Sequence, residues 1–252
     1  MVDSRQRSTP DRSLAGRTAL VVGGREGAPS LLCASIARAL EAAGAHVFEA
    51  RLAAAAEPTW RAEGLEAPVG HEGLFEHAVS RMGHVDILVV LGAASAHDGA
   101  RAQPSEAGAH EGASAHAASV LCAAFIRHLV PGRPGRVVLV SPVPIGPPDA
   151  GFADVTDGAA ARVGVPIGAL DALAASLAPA LASIGVTVNA VDPADRPRGW
   201  LDDYLRRRLE PALPAGVLDG PDAVARVVAL LASDAGAGIS GQVVRGAAVE
   251  PR

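Results

Sequence analysis

The chain has 252 residues, of which 49% are hydrophobic and only 3% are aromatic. A sequence of this length and hydrophobic content can bury one large core, built here from Ala, Val, Leu and Ile. The net charge of -5 argues against non-specific binding to nucleic acid. Cys33 and Cys122 lie far apart and form no C-x-x-C pair, so the cysteines indicate neither a zinc site nor a disulfide framework.

We do not expect the N-terminal segment to be a secretory signal. Met1–Ser13 is polar and lacks the hydrophobic stretch of a secretory signal. We expect it to be a disordered lead-in to a single domain over residues 14–252. No apolar run is long enough to span a membrane, so we expect a cytoplasmic protein.

Short apolar runs of strand length alternate with segments of helical pattern along the rest of the chain. The predicted strands are Thr18–Val22, Ala45–Glu49, Asp86–Leu91, Arg136–Ser141, Val186–Val191 and Gly241–Arg245. The predicted helices are Leu32–Ala43, Gly73–Met82, Ser114–Val130, Pro166–Ser183, Leu201–Leu209 and Pro221–Ala232. Such an alternation predicts an α/β fold, with βαβ units forming a doubly wound parallel sheet that carries helices on both faces.

Three segments interrupt this alternation. Between Arg51 and His71 there is room only for an irregular connection or one abbreviated β-α element. His97–Gly112 is rich in Gly, Ala and His, which predicts a long loop. The Pro/Gly/Asp-rich stretch between Pro142 and Val165 predicts a surface loop.

Five segments, in order and over nearly the whole chain, resemble the short-chain dehydrogenase/reductase family. They are Leu14–Gly27 (first strand and Gly-rich turn), Gly83–Ala93 (fourth strand), Gly135–Ser141 (the strand of the catalytic serine), Leu177–Pro193 (a helix-to-strand segment) and Leu231–Val244 (closing helix and strand). The resemblance implies a Rossmann-like fold and NAD(P)H bound at the Gly-rich turn. It also implies hydride transfer by a Ser–Tyr–Lys set, in which the tyrosine protonates the developing alkoxide and the lysine lowers the pKa of that tyrosine.

The positions of the catalytic tyrosine and lysine hold apolar residues. The family's spacing, counted back from Asn189, places the tyrosine at Val163 and the lysine at Ile167. The chain contains no lysine at all, and its single tyrosine, Tyr204, lies in the family's substrate-side region. Neither valine nor isoleucine can carry a proton or a charge, so we predict that the usual mechanism is absent.

Other positions of the family's site are altered as well. The serine position falls on Pro142, with Ser141 as its neighbour. The two asparagines after the fourth strand are replaced by Val90-Leu91, and the position of the asparagine in the long helix is near Ser114. The Pro-Gly that approaches the nicotinamide reads Pro193-Ala194, where a Cβ atom would crowd a close backbone contact. These losses indicate released or redirected function.

The phosphate-binding turn is preserved in part. Its remaining glycines are Gly23, Gly24 and Gly27. Ala28–Leu31 is an apparent insertion, and Cys33 occupies the last glycine position. Arg51, with Arg25 nearby, would favour a 2′-phosphate and hence NADPH over NADH. Because the turn is preserved only in part, the expected cofactor is weakly bound NADPH or none. An ordinary strand–helix loop is the alternative interpretation of the same turn.

A rebuilt catalytic set is a second alternative. His110, His116 and Asp98 belong to a segment expected near the carboxyl edge of the sheet. A histidine–carboxylate pair there could act as a general acid and base in a cyclisation, a dehydration or an isomerisation.

Three functions follow from these observations. The first is a non-catalytic subunit that assembles with itself or with an active homologue, through Leu231–Val244 and the Ala-rich helix Pro166–Ser183. The second is an atypical enzyme, either an NADPH-dependent ketoreductase with a replaced proton donor or a cofactor-independent cyclase, dehydratase or isomerase. The third is a small-molecule sensor, which predicts affinity for a ligand without turnover.

Overall fold

The central feature of the molecule is one seven-stranded sheet. A computed structural model describes residues 13–25, 31–53, 59–92, 104–141, 169–192 and 221–245, with only the backbone at 104–114. The strands are β1 (Thr18–Arg25), β2 (His46–Leu52), β3 (Trp60–Ala62), β4 (Ile87–Leu91), β5 (Gly135–Val140), β6 (Val186–Asp192) and β7 (Val243–Arg245). Their order in the sheet is β3-β2-β1-β4-β5-β6-β7, and every pair except β2–β3 is parallel.

Helices cover both faces of this sheet. They are α1 (Leu31–Ala42), α2 (His71–Met82), α3 (Pro104–Arg127), α4 (Ala169–Ala182) and α5 (Pro221–Ala232). Alternate residues of one strand face opposite layers, as the two-residue period of a strand requires. In β1, Ala19 and Val21 pack against α1 and α5, whereas Leu20 and Val22 pack in the core under α2, α3 and α4. The predicted doubly wound, Rossmann-like single domain is therefore confirmed.

The strands and most helices lie where the sequence predicts them. The predicted α5 is confirmed at both ends, and α1 ends close to Gly44, which takes a left-handed conformation (φ 97°) that favours glycine at a helix terminus. Predicted residues 166–168 of α4 and the predicted helix Leu201–Leu209 lie outside the described residues. None of the helices that the structure describes is both long and apolar enough to cross a membrane.

The prediction of a loop over His97–Gly112 is wrong for its second half. Helix α3 begins at Pro104 and continues for 24 residues. Proline is favoured in the first turn of a helix, where its missing N–H is not needed. The alanines of this stretch are strong helix formers and outweigh the cost of about 1 kcal/mol for each interior glycine.

The short strand β3 is the one antiparallel member of the sheet. Between Leu52 and Trp60 lie seven residues, 53–59, whereas a parallel crossover needs a dozen or more. The chain therefore turns back on β2 as a hairpin, pairing Leu52 with Trp60 and Ala50 with Ala62. Trp60 in turn forms an antiparallel bridge with Val69, which leads into α2. The expected abbreviated element is thus a reversed edge strand.

Candidate active-site cleft

The carboxyl ends of the parallel strands meet along one edge of the sheet, where open α/β folds bind ligands. In spatial order this edge holds the ends of β2, β1, β4, β5, β6 and β7. Its described residues divide into two groups. The β1–β2 end comprises Gly23, Cys33, Glu49 and Arg51, and the β5–β6 end comprises Ser141, Asp171 and Asp192.

At the β5–β6 end, a serine and a buried aspartate form a hydrogen bond. The Ser141 hydroxyl directly follows β5 and donates to Oδ1 of Asp171 at 3.1 Å. Asp171 lies in the first turn of α4 and is only 5% exposed. The Ser141 backbone N–H donates to the carbonyl of Val191 at 2.9 Å. This bond keeps the end of β5 beside the end of β6, where Asp192 lies. The Ser141 hydroxyl is therefore directed to a carboxylate.

Sequence reasoning missed Asp171. The only local signal was one acidic residue in the otherwise uncharged helix segment ALDALAASLAPALA. The contact with Ser141 joins residues 30 positions apart, so it depends on how α4 packs against β5. A local pattern of residue types does not contain that information.

At the β1–β2 end, the Gly-rich turn is in contact with the end of β4. A Cβ atom placed on Gly23 would lie 2.5 Å from the Cβ of Leu91, so only glycine fits at this position without a shift. Leu91 is buried at 8% exposure and packs in the core on the α1 and α5 side of the sheet. An apolar side chain thus covers one face of the preserved glycine.

Cys33 fills the space beneath the same turn. Its sulfur lies 3.9 Å from the carbonyl oxygen of Gly23 and 4.0 Å from Oε2 of Glu49. Burial, together with the nearby Glu49 carboxylate, raises the pKa of the Cys33 thiol to about 11, although Arg51 opposes the shift. The thiol is therefore protonated at neutral pH and is a poor nucleophile.

Arg51 already has an anionic neighbour. Its Nη2 lies 3.8 Å from Oε2 of Glu49, and both side chains are partly exposed, so the ion pair is weak. Both residues lie on β2, and Arg51 pairs across the hairpin with Arg61 of β3. An incoming phosphate at Arg51 would meet the Glu49 carboxylate as well.

The predicted acid–base residues are not brought together in the part of the chain that the structure describes. His116 lies exposed on α3 and close to His71, the first residue of α2. Burial and the charge of His116 lower the pKa of His71. His110 lies in the stretch of α3 where only the backbone is described, and Asp98 lies outside the described residues.

Several other predicted positions also fall outside the described residues. These are Gly27, Pro142, Val163, Ile167, Pro193-Ala194 and Tyr204. Gly24 and Arg25 lie in β1, with only their backbone described, and Ser114 lies likewise in α3. Across the described ranges, no group of three His, Cys, Asp or Glu side chains could hold a metal ion.

The best-preserved family segment has a structural role. Asn189 of β6 donates from Nδ2 to the carbonyl of Ile239 at 2.8 Å and accepts at Oδ1 from the N–H of Gln242 at 3.1 Å. The Ser240 hydroxyl accepts from the N–H of Val188 at 3.1 Å. These bonds hold the approach to β7 against β6, so retention of this motif fixes the closing strand.

Comparisons with known proteins agree with this fold. The sequence profile of the family described as Enoyl-(Acyl carrier protein) reductase matches residues 27–245. The chain is 32% identical to the 3-oxoacyl-[acyl-carrier-protein] reductase FabG of Salmonella typhimurium over 183 residues, which cover 70% of this chain and 71% of that protein. A stretch of 77 residues is 43% identical to the uncharacterized oxidoreductase YjdA of Bacillus subtilis and spans 31% of each chain.

Two solved structures share the fold. A short chain dehydrogenase from Burkholderia cenocepacia, crystallised in complex with NADP, has a TM-score of 0.58 and 24% identity over 92% of this chain and 97% of that one. A hydroxysteroid dehydrogenase from Escherichia coli has a TM-score of 0.60 and 16% identity over 97% of this chain and all of the other. The chain belongs to the short-chain dehydrogenase/reductase family.

Proposed function

We propose that this chain is a non-catalytic member of its family that acts as a subunit of an oligomer, formed with itself or with an active homologue. The observation that carries the proposal is the lack of a proton donor and its cation. The chain has no lysine, its only tyrosine is Tyr204, and Val163 and Ile167 occupy the aligned positions. Ser141, the hydroxyl nearest to the serine position, donates to Asp171.

The charge at the β5–β6 end supports the same conclusion. Reduction of a ketone places a developing negative charge on the carbonyl oxygen, which enzymes stabilise with hydrogen-bond donors or cations. The buried Asp171 carboxylate beside Ser141 has the opposite sign and would destabilise that charge. The remodelled cleft is therefore unfavourable for the usual hydride transfer.

We expect NADPH to bind weakly or not at all. The contact between Gly23 and Leu91 leaves no free space on that face of the turn. The Glu49 carboxylate beside Arg51 competes with a 2′-phosphate for the same guanidinium. The residues described at this end therefore fit a dinucleotide poorly.

The exposed face of α4 is the surface that we propose for assembly. Its exposed residues are small and uncharged: Ala172, Ala175, Ser176, Pro179, Ala180 and Ala182. Asp171 is the only charged residue of this helix, and it is buried. A surface helix normally carries charges on its outer face, as α2 does with Glu72, Glu76 and Arg81. Small side chains would let a second helix approach closely.

A cofactor titration and a substrate panel test the loss of catalysis. NADPH fluorescence should change little on addition of the full chain, and no ketone in a panel that includes a 3-oxoacyl thioester should cause NADPH oxidation. Micromolar affinity together with ketone-dependent oxidation would refute the proposal. It would favour instead an atypical ketoreductase, the candidate that the 32% identity to 3-oxoacyl-[acyl-carrier-protein] reductase supports.

A charged substitution tests the assembly surface. Ala175→Arg places an arginine on the α4 face, and Ala42→Arg places one on the exposed end of α1. Native mass spectrometry should show an oligomer for the unchanged chain and for Ala42→Arg. For Ala175→Arg the dissociation constant should rise at least about tenfold, because burying an unpaired charge is costly. A monomeric unchanged chain, or equal masses for all three proteins, would contradict this interface.

A further inference from the structure

We draw no further inference here: the strongest candidate, the corner between β3 and the start of α2 where Trp60 Nε1 and His71 Nε2 are buried without a hydrogen-bond partner among the described residues, carries none because buried waters commonly satisfy such atoms and nothing in the part of the chain that the structure describes shows what these atoms face.

Discussion

Buried carboxylates lie at both edges of the central sheet, and their partners differ. At the amino-terminal edge, Asp86 precedes β4 and is 2% exposed. Arg133 donates to it twice, from Nε to Oδ1 at 2.6 Å and from Nη2 to Oδ2 at 2.8 Å. The N–H of Thr18 adds a third bond at 3.1 Å. At the carboxyl edge, Asp171 accepts only the Ser141 hydroxyl among its described contacts.

The two buried carboxylates differ in how their charge is stabilised. Burial alone would raise the pKa of Asp86, but the hydrogen bond from Arg133, the Thr18 amide and the positive charges of Arg133 and His84 lower it overall. Asp86 thereby ties the starts of β1, β4 and β5 together. Among the residues that the structure describes, no comparable set of donors surrounds Asp171. The described contacts therefore neutralise the carboxylate at the amino-terminal edge, whereas Asp171 receives one hydrogen bond from a neutral hydroxyl.

Replacing Asp86 should give the largest effect. Asp86→Asn removes the charge that Arg133 neutralises and sets an amide N–H₂ or a single carbonyl against three donors. We expect the free energy of unfolding to fall by about 3 kcal/mol, the scale for breaking a buried ion pair. Urea denaturation followed by circular dichroism measures this change.

Asp234 provides the matched control. It pairs with Arg17 at 3.0 Å and lies 3.9 Å from the buried Arg136, but it is itself 78% exposed. Asp234→Asn should therefore cost less than about 1 kcal/mol. Equal losses in the free energy of unfolding for the two variants would show that Asp86 stabilises the fold no more than an exposed carboxylate does.

Acidification should also reduce the stability that Asp86 provides at the amino-terminal edge. The pKa of Asp86 lies below its usual value in the folded state, so its contribution to stability is present above the unfolded pKa of about 3.9. That contribution is lost as the pH falls through the folded-state pKa. Below about pH 4, the Asp86→Asn variant should lose less stability with falling pH than the unchanged chain. Parallel pH profiles would contradict the assignment.

The sequence predicts the fold because its signal is repeated and local. Runs such as Ile87–Leu91 are buried along their whole length, so apolar composition alone identifies the strand. The reversed β3 was not predicted, although the seven residues between β2 and β3 already exclude a parallel crossover. The helical stretch from Pro104 is not evident from the sequence because its glycines and histidines are typical of a loop.

The candidate site was less predictable than the fold. Absent residues such as lysine can be read directly from the sequence, and so can the replacement at Ile167. The contacts that replace them cannot, because they join separate elements. Glu49 approaches Cys33 from β2, and Asp171 meets Ser141 from α4. Such pairs follow from the packing of helices on the sheet, which a single sequence specifies only indirectly.

Variants at the carboxyl edge should have smaller effects than those at Asp86, and one of opposite sign. Ser141→Ala removes the described partner of a buried carboxylate and should cost about 1 kcal/mol. Asp171→Leu should leave the free energy of unfolding unchanged or raise it by about 1 kcal/mol, since an apolar side chain has no desolvation penalty there. Urea denaturation of both variants and of the double variant gives the coupling between them. A loss for Asp171→Leu as large as that for Asp86→Asn would show that Asp171 is structural.

The two thiols should differ in their rate of alkylation, because Cys33 lies at the carboxyl edge of the sheet and Cys122 lies in the interior. Burial raises the pKa of Cys122 to about 12, and burial with Glu49 raises that of Cys33 to about 11. At about pH 8 both should be alkylated by iodoacetamide at least about 100-fold more slowly than in the unfolded chain, because the thiolate is the reactive form. Cys33, beside the Gly-rich turn, should react faster than Cys122, since its pKa is raised less. Mass spectrometry of labelled peptides measures both rates. Labelling of Cys33 at the unfolded rate would mean that the Gly-rich turn opens readily, and that its contact with Leu91 does not close this end of the cleft.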